Sequence, residues 1–207
     1  MKPIEQDEAY KTASFLQDQR NQKTYVYECN NGYTFITRVD DENAYLFLPD
    51  KTTRLAKVPS ASGVKYSNGL ITFWSKGDEA LLDTGDIIYR DCKNNHGKAI
   101  WENAKLNGID FRAVGNEPGW YLEITASDKI RFVSNYGQDR HEFTTPKPKI
   151  DKQARMTTYA TYNDTNTLTV VIRGRPCQDS MSGESFATTV TVILDNTKFQ
   201  GCGRALH

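Results

Sequence analysis

From residue 24 to residue 92 the chain reads as short runs of Tyr, Val, Ile, Phe and Thr, cut at close intervals by Asn30-Asn31-Gly32, Pro49-Asp50 and Asn68-Gly69. β-Branched and aromatic residues suit a pleated, half-buried surface, and Asn-Gly pairs permit the positive φ angles that tight hairpins need. The pattern predicts strands at 24–29, 33–39, 44–48, 53–58, 70–74, 79–82 and 86–92, joined as an antiparallel meander. In the second run Tyr33, Phe35 and Thr37 share one face, and Thr34, Ile36 and Arg38 the other, so the alternation is imperfect, as it is in small barrels where strand ends leave the core.

A break follows at Lys93-Asn94-Asn95-His96-Gly97-Lys98, and residues 100–106 have room for one or two helical turns before Asn107-Gly108 stops them. A second β-rich stretch predicts strands at 109–114, 120–125, 129–134, 156–162, 167–173 and 186–194. Residues 144–151 carry Pro146 and Pro148 and must be a loop or a sheet edge, because proline donates no ladder hydrogen bond. The division is therefore a tail or tether over 1–20, a small antiparallel β-barrel over 21–93, a linker with a short helix over 94–108, and a β-rich barrel or sandwich over 109–207. The fold class is all-β.

Composition narrows the function classes. Lys plus Arg and Asp plus Glu are 26 each, so no global field favours nucleic acid, and DNA or RNA is not an expected partner. No apolar run is long enough to span a bilayer as a helix, and Met1 reads as a start left after removal of an export signal. The four cysteines, Cys29, Cys92, Cys177 and Cys202, form no CxxC pair, which suits disulfides in an oxidising compartment. Of the three possible pairings, Cys29 with Cys92 and Cys177 with Cys202 fits the division into halves. Closing loops of roughly 60 and 25 residues is worth about 3 to 4 kcal/mol each on the chain-entropy account. His96, His141 and His207 lie far apart in sequence without a ligand motif, so neither a metal nor another cofactor is expected.

The densest motif is Ser60-Ala61-Ser62-Gly63-Val64-Lys65-Tyr66, followed by Phe73-Trp74-Ser75-Lys76-Gly77-Asp78-Glu79-Ala80. It resembles the signature of the bacterial membrane-bound and periplasmic inhibitors of c-type lysozyme, over about residues 25–92. The resemblance implies a barrel fold, an exported location in the periplasm or at the outer membrane, a lysozyme partner and no catalysis. Any membrane attachment would run through a lipid anchor absent from this sequence. The resemblance also assigns the lysozyme-binding residues: Ser62 and Lys76 enter the enzyme cleft, with Gly63, Tyr66 and Gly77 completing the two motifs. Judged without it, Ser62 is a loop hydroxyl, Lys76 a solvated charge, the glycines turn residues and Tyr66 core.

Charge is locally polarised. Residues 51–76 contain Lys51, Arg54, Lys57, Lys65 and Lys76 and no acid, whereas 78–91 is mostly acidic. A basic stretch suits an anionic cleft, and a mixed-charge solvated face explains the same pattern.

The second half carries Gly115-Asn116-Glu117-Pro118-Gly119-Trp120, a stretch from Arg175 to Glu184 and Gly201-Cys202-Gly203-Arg204, which resemble an uncharacterised family of bacterial envelope domains. Asn116 to Gly119 reads as a turn or the wall of a ligand groove. Two alternatives to inhibition stand at this level: a binding or adhesion module for a host protein or glycan, and an envelope enzyme built on residues 109–207. The enzyme would draw on Cys177 or Cys202 with His141, on Ser180 or Ser182, or on a carboxylate pair such as Glu117 with Asp179 or Glu184, none of which forms a recognised catalytic motif.

Overall fold

The computed structural model describes residues 22–49 and 51–207, and the tail expected over 1–20 lies outside them. The described chain falls into two compact units that divide after Asn103. The first is a closed antiparallel barrel of β1 (Lys23–Glu28), β2 (Thr34–Val39), β3 (Asn43–Phe47), β4 (Thr52–Val58), β5 (Val64–Ser67), β6 (Thr72–Lys76), β7 (Glu79–Asp83) and β8 (Ile88–Asn94). Every strand pairs with its neighbour in sequence, and β1 meets β8 through Tyr27 with Asn94 and Glu28 with Lys93, so the ladder has no free edge.

Alternate side chains fill the barrel. Tyr27, Phe35, Leu46, Leu55, Phe73 and Leu82 are essentially inaccessible, and the rings pack in contact, Tyr27 to Phe35 at 5.3 Å and Tyr27 to Phe73 at 5.6 Å. Each fully buried side chain of this size stabilises the fold by roughly 1.5–3 kcal/mol over an exposed one. Burial pushes the Tyr27 phenol well above its ordinary range, against a hydrogen bond with Ser75 that opposes the shift. Cys29 and Cys92 are bonded beside this core.

Helix α1 (His96–Leu106) follows β8 and starts four residues earlier than the apolar pattern indicated. Asn95 explains the difference: its side-chain oxygen accepts from the Lys98 N–H at 3.0 Å and its carbonyl accepts from Ala99, which makes it the N-cap. Glu28 secures that cap to β1, accepting from the Asn95 amide at 3.1 Å and from the Lys98 ammonium. Gly108, at φ 75°, closes the helix by donating to the Lys105 carbonyl.

The second unit is a curled nine-stranded sheet. Its strands are β9 (Phe111–Asn116), β10 (Gly119–Ile124), β11 (Lys129–Ser134), β12 (Asp139–Thr144), β13 (Lys149–Asp151), β14 (Met156–Tyr162), β15 (Thr167–Arg173), β18 (Thr188–Leu194) and β19 (Thr197–Ala205), with a two-stranded hairpin of β16 (Cys177–Gln178) and β17 (Ser185–Phe186) inserted before β18. The spatial order is β12-β11-β10-β9-β19-β18-β15-β14-β13, and the proline-rich stretch ends in the edge strand β13. Trp120, Leu122, Phe132, Leu168, Val190 and Phe199 form the core within the curl.

The curl is drawn together by side chains where backbone pairing stops. Thr161 on β14 donates to the Thr144 carbonyl of β12 at 3.1 Å, and Asn163 donates to the Glu142 carbonyl at 3.1 Å. Outside the apolar core, registered neighbours alternate in charge from Glu142 through Arg131 and Glu123 to Arg112. Arg112 and Glu123 are both buried. Burial lowers the affinity of Arg112 for its proton, and the neighbouring Glu123 carboxylate opposes that. One disulfide lies in each unit, as expected; the second joins Cys177 of the small hairpin to Cys202 of β19.

Candidate functional site

Strands β5 and β6 bring the two halves of the motif together. Val64 pairs with Ser75 and Lys65 with Trp74, and continuing this register by one residue sets Gly63 opposite Lys76. Contacts agree with the arithmetic: a Cβ on Gly63 would collide with the Ser75 carbonyl and lie 3.1 Å from the Lys76 Cβ. Gly63 also sits at φ 66°, a conformation that side-chain-bearing residues adopt at a cost. Glycine is therefore what lets the Ser60–Gly63 loop lie against the strand that carries Lys76.

Trp74 fastens that loop. It alternates outward between inward-facing Phe73 and Ser75, and its indole N–H donates to the Ser62 carbonyl at 2.8 Å, which also accepts from the Ser60 hydroxyl at 2.7 Å. The backbone of Ser62 is thus held from two sides while its hydroxyl stays exposed.

Lys76 ends β6 at a two-residue turn, Gly77-Asp78, closed by the Lys76–Glu79 pair. Positive φ falls on Gly77 (60°) and not on Asp78, the arrangement of a type II′ turn. Asp78 anchors the turn to the start of α1: its carboxylate lies 2.9 Å from His96 Nε2, and its carbonyl accepts from the Asn94 N–H at 2.9 Å. The hydrogen bond with His96, supplemented by Asn94, holds the Asp78 carboxyl below the usual carboxylate range. Asp78 stands in the sequence within the motif and the acidic stretch that follows it, but its pairing with His96, eighteen residues on, is not visible there.

Ser62, Gly63, Lys76 and Gly77 are all exposed. Among the described residues no hydrogen bond or ion pair engages the Ser62 hydroxyl or the Lys76 ammonium. Tyr66 is placed differently, 4 % exposed, stacked on Phe73 at 6.0 Å and reaching the Asp40 carbonyl at 3.4 Å. Burial, with the Asp40 carboxylate nearby, raises its phenol above the ordinary range, so it stays neutral and serves the barrel wall.

Comparison with known proteins gives this surface its context. Residues 27–89 match the family of membrane-bound lysozyme inhibitors of c-type lysozyme. Two curated relatives bear that name: one from Yersinia enterocolitica is 37% identical over 79 residues, 36% of this chain and 66% of the relative. The other, from Escherichia coli K12, is 32% identical over 72 residues, 34% of this chain and 66% of the relative. The chain thus spans a little under two thirds of the length of these inhibitors. No solved structure matches it. The family match lies wholly in the barrel and contains Ser62, Gly63, Tyr66, Lys76 and Gly77.

The groups weighed for catalysis in the second unit are engaged or scattered. Cys177 and Cys202 share a disulfide and offer no thiolate. His141 faces Asn166 at 3.2 Å, Glu184 accepts from Arg204 at 3.0 Å, and Glu117 is exposed on its turn. Asp179 is buried and accepts from the Met181 and Ser182 N–H groups, the Ser182 hydroxyl and the Asn116 amide. Burial alone would raise its carboxyl, and these hydrogen bonds outweigh it and hold the group below the usual carboxylate range. Among the described residues no three His, Cys, Asp or Glu side chains converge as metal ligands, and no helix is long and apolar enough to cross a membrane.

Proposed function

We propose that the first unit inhibits c-type lysozyme by inserting the paired Ser62 and Lys76 tips into the catalytic cleft, protecting peptidoglycan at the envelope of an exporting bacterium. One observation supports this above the others: an exposed hydroxyl and an exposed ammonium, neither engaged among the described residues, lie on a loop and a strand end that meet at Gly63, in a barrel whose sequence matches the inhibitor family.

The chemistry of the target fits the pair. Lysozyme cleaves with a protonated glutamic acid and an ionised aspartate. The Lys76 ammonium suits the aspartate, and the Ser62 hydroxyl, able both to donate and to accept, suits the acid. Gly63 and Gly77 keep the tips narrow, Trp74 and Asp78 hold them in place, and Tyr66 supports the wall behind them. A prearranged tip loses little freedom on binding, which favours affinity.

Inhibition of lysis of a peptidoglycan suspension tests the reading, with g-type lysozyme as control. The intact protein blocks the c-type enzyme and leaves the g-type untouched; Ser62→Ala weakens the block less than Lys76→Ala does. Undiminished lysis at saturating protein refutes the proposal.

A further inference from the structure

The outer face of the second sheet holds a groove of about 480 Å³ beneath the small β16–β17 hairpin, with the Cys177–Cys202 disulfide in its wall. Its geometry comes from the ladder. Val170, Val190, Val192 and Phe199 point into the core, so Arg173, Thr189, Thr191 and Gln200 point away from it. Arg173 lies opposite Thr189, and on the next outward row Thr191 lies opposite Gln200, which makes a polar patch across two adjacent rows; Arg175 adds a second guanidinium. The rim is fixed by Asn116, which donates to both Asp179 and Ser180.

Two observations give the groove a chemical preference. The side chains of Arg173, Arg175, Thr189, Thr191 and Gln200 make no hydrogen bond or ion pair among the described residues, although they converge on one space. Positive charge is also gathered nearby: Gly174, between the two arginines, has the Arg155 guanidinium against it, 3.0 Å from where a Cβ would be, although Arg155 does not itself line the groove. The carboxylate among the lining residues, Asp179, has both oxygens occupied, Oδ1 by its own loop and Oδ2 by the Asn116 amide. Guanidinium groups recognise carboxylates and phosphates in a bidentate manner, and threonine and glutamine side chains match sugar hydroxyls. No aromatic ring lines the groove, so a nucleobase has nothing to stack on.

We propose that this groove binds an acidic saccharide of one or two rings, its carboxylate on Arg173 and Arg175 and its hydroxyls along Thr189, Thr191 and Gln200. The site is independent of lysozyme inhibition and stands or falls separately from it.

Calorimetric titration of the intact, oxidised protein tests it, with digalacturonate, its dimethyl ester and inorganic phosphate as probes. Saturable binding of digalacturonate, no heat from the ester, and at least about tenfold weaker binding to the Arg173→Gln, Arg175→Gln double variant are expected. Both arginines are exposed, and an unchanged melting curve confirms that the variant folds. Binding of the ester as tight as the acid, an unaffected double variant, or no heat at millimolar digalacturonate overturns the proposal. Phosphate binding as tightly as digalacturonate overturns it too, since that would leave the polar patch without a role.

Discussion

The two units solve the same β-sheet problem differently. The barrel closes through backbone pairing of β1 with β8, whereas the second sheet stops at β12 and β13 and draws its curl together through Thr161, Asn163 and their carbonyl partners. With closure supplied by the backbone, the Ser62 hydroxyl and the Lys76 ammonium project with no partner among the described residues, while the loop and turn that carry them are held by Trp74 and Asp78. The second unit commits its loop polar groups to holding itself together: Asp179 accepts four hydrogen bonds within its hairpin and from Asn116, and its cysteine bridge ties the hairpin to the sheet. Arg173, Thr189, Thr191 and Gln200, which make no side-chain hydrogen bond or ion pair among the described residues, lie on a sheet face, where a groove can form, rather than on a protruding tip.

Opening the bridges is the harshest way to probe this contrast. With separations of 63 and 25 residues, removing Cys29–Cys92 by paired serine substitution should destabilise the barrel by about 4 kcal/mol, and removing Cys177–Cys202 the second unit by about 3 kcal/mol, read from denaturant midpoints. Equal losses in both units from either change would break the picture of separate cores. Next in size is Glu123→Leu, which removes the carboxylate paired with the buried Arg112 guanidinium and should cost the second unit about 3 kcal/mol while leaving lysozyme inhibition unchanged.

Glycine exchanges sharpen the barrel side. Gly63→Ala meets the Ser75 carbonyl and a positive φ, and should cost about 2 kcal/mol and weaken inhibition by shifting the loop; Gly77→Ala meets open space and carries the φ penalty alone, about 1 kcal/mol. Comparable effects of the two would show that the close approach of loop and strand is unimportant.

These effects separate what the sequence revealed from what it hid. Strongly alternating strands such as β3 and β15 were legible, and so was the pairing of cysteines by halves. Strand β5 was not, because in Val64–Ser67 Tyr66 is the one buried side chain and the segment is too short to show a period. Strand β19 was masked by Gly201 and Gly203, which weaken a strand signal; the Val114 carbonyl and Trp120 crowd the first, and Phe111 with Ala113 the second, so neither site has room for a side chain. β12, with Asp139, Arg140, His141 and Glu142, hid its strand character under edge charges. At the site, residue types and spacing pointed to Ser62 and Lys76, but their adjacency and the anchoring of Asp78 by Asn94 and His96 depend on long-range register that no local pattern carries.

The mildest contrast is in acid. Asp179 has a depressed carboxyl pKa, so its contribution to stability is present above the unfolded value near pH 4 and is lost as pH falls through the lower folded value. Protection against amide hydrogen exchange over residues 177–186, taken relative to the intrinsic rate at each pH, should therefore fall as the pH drops below about 4, and Asp179→Asn should show lower protection at neutral pH and no further change across that window. A matching acid response in Asp179→Asn would assign the loosening to another group.

Whether the Lys76 ammonium enters the cleft is read from the inhibition constant of Lys76→Ala against c-type lysozyme. Loss of one member of a desolvated charge pair costs about 2 to 5 kcal/mol, so the variant should inhibit roughly thirty-fold to several thousand-fold more weakly, with an unchanged melting curve. An inhibition constant equal to that of the unsubstituted protein would mean that the ammonium does not enter the cleft.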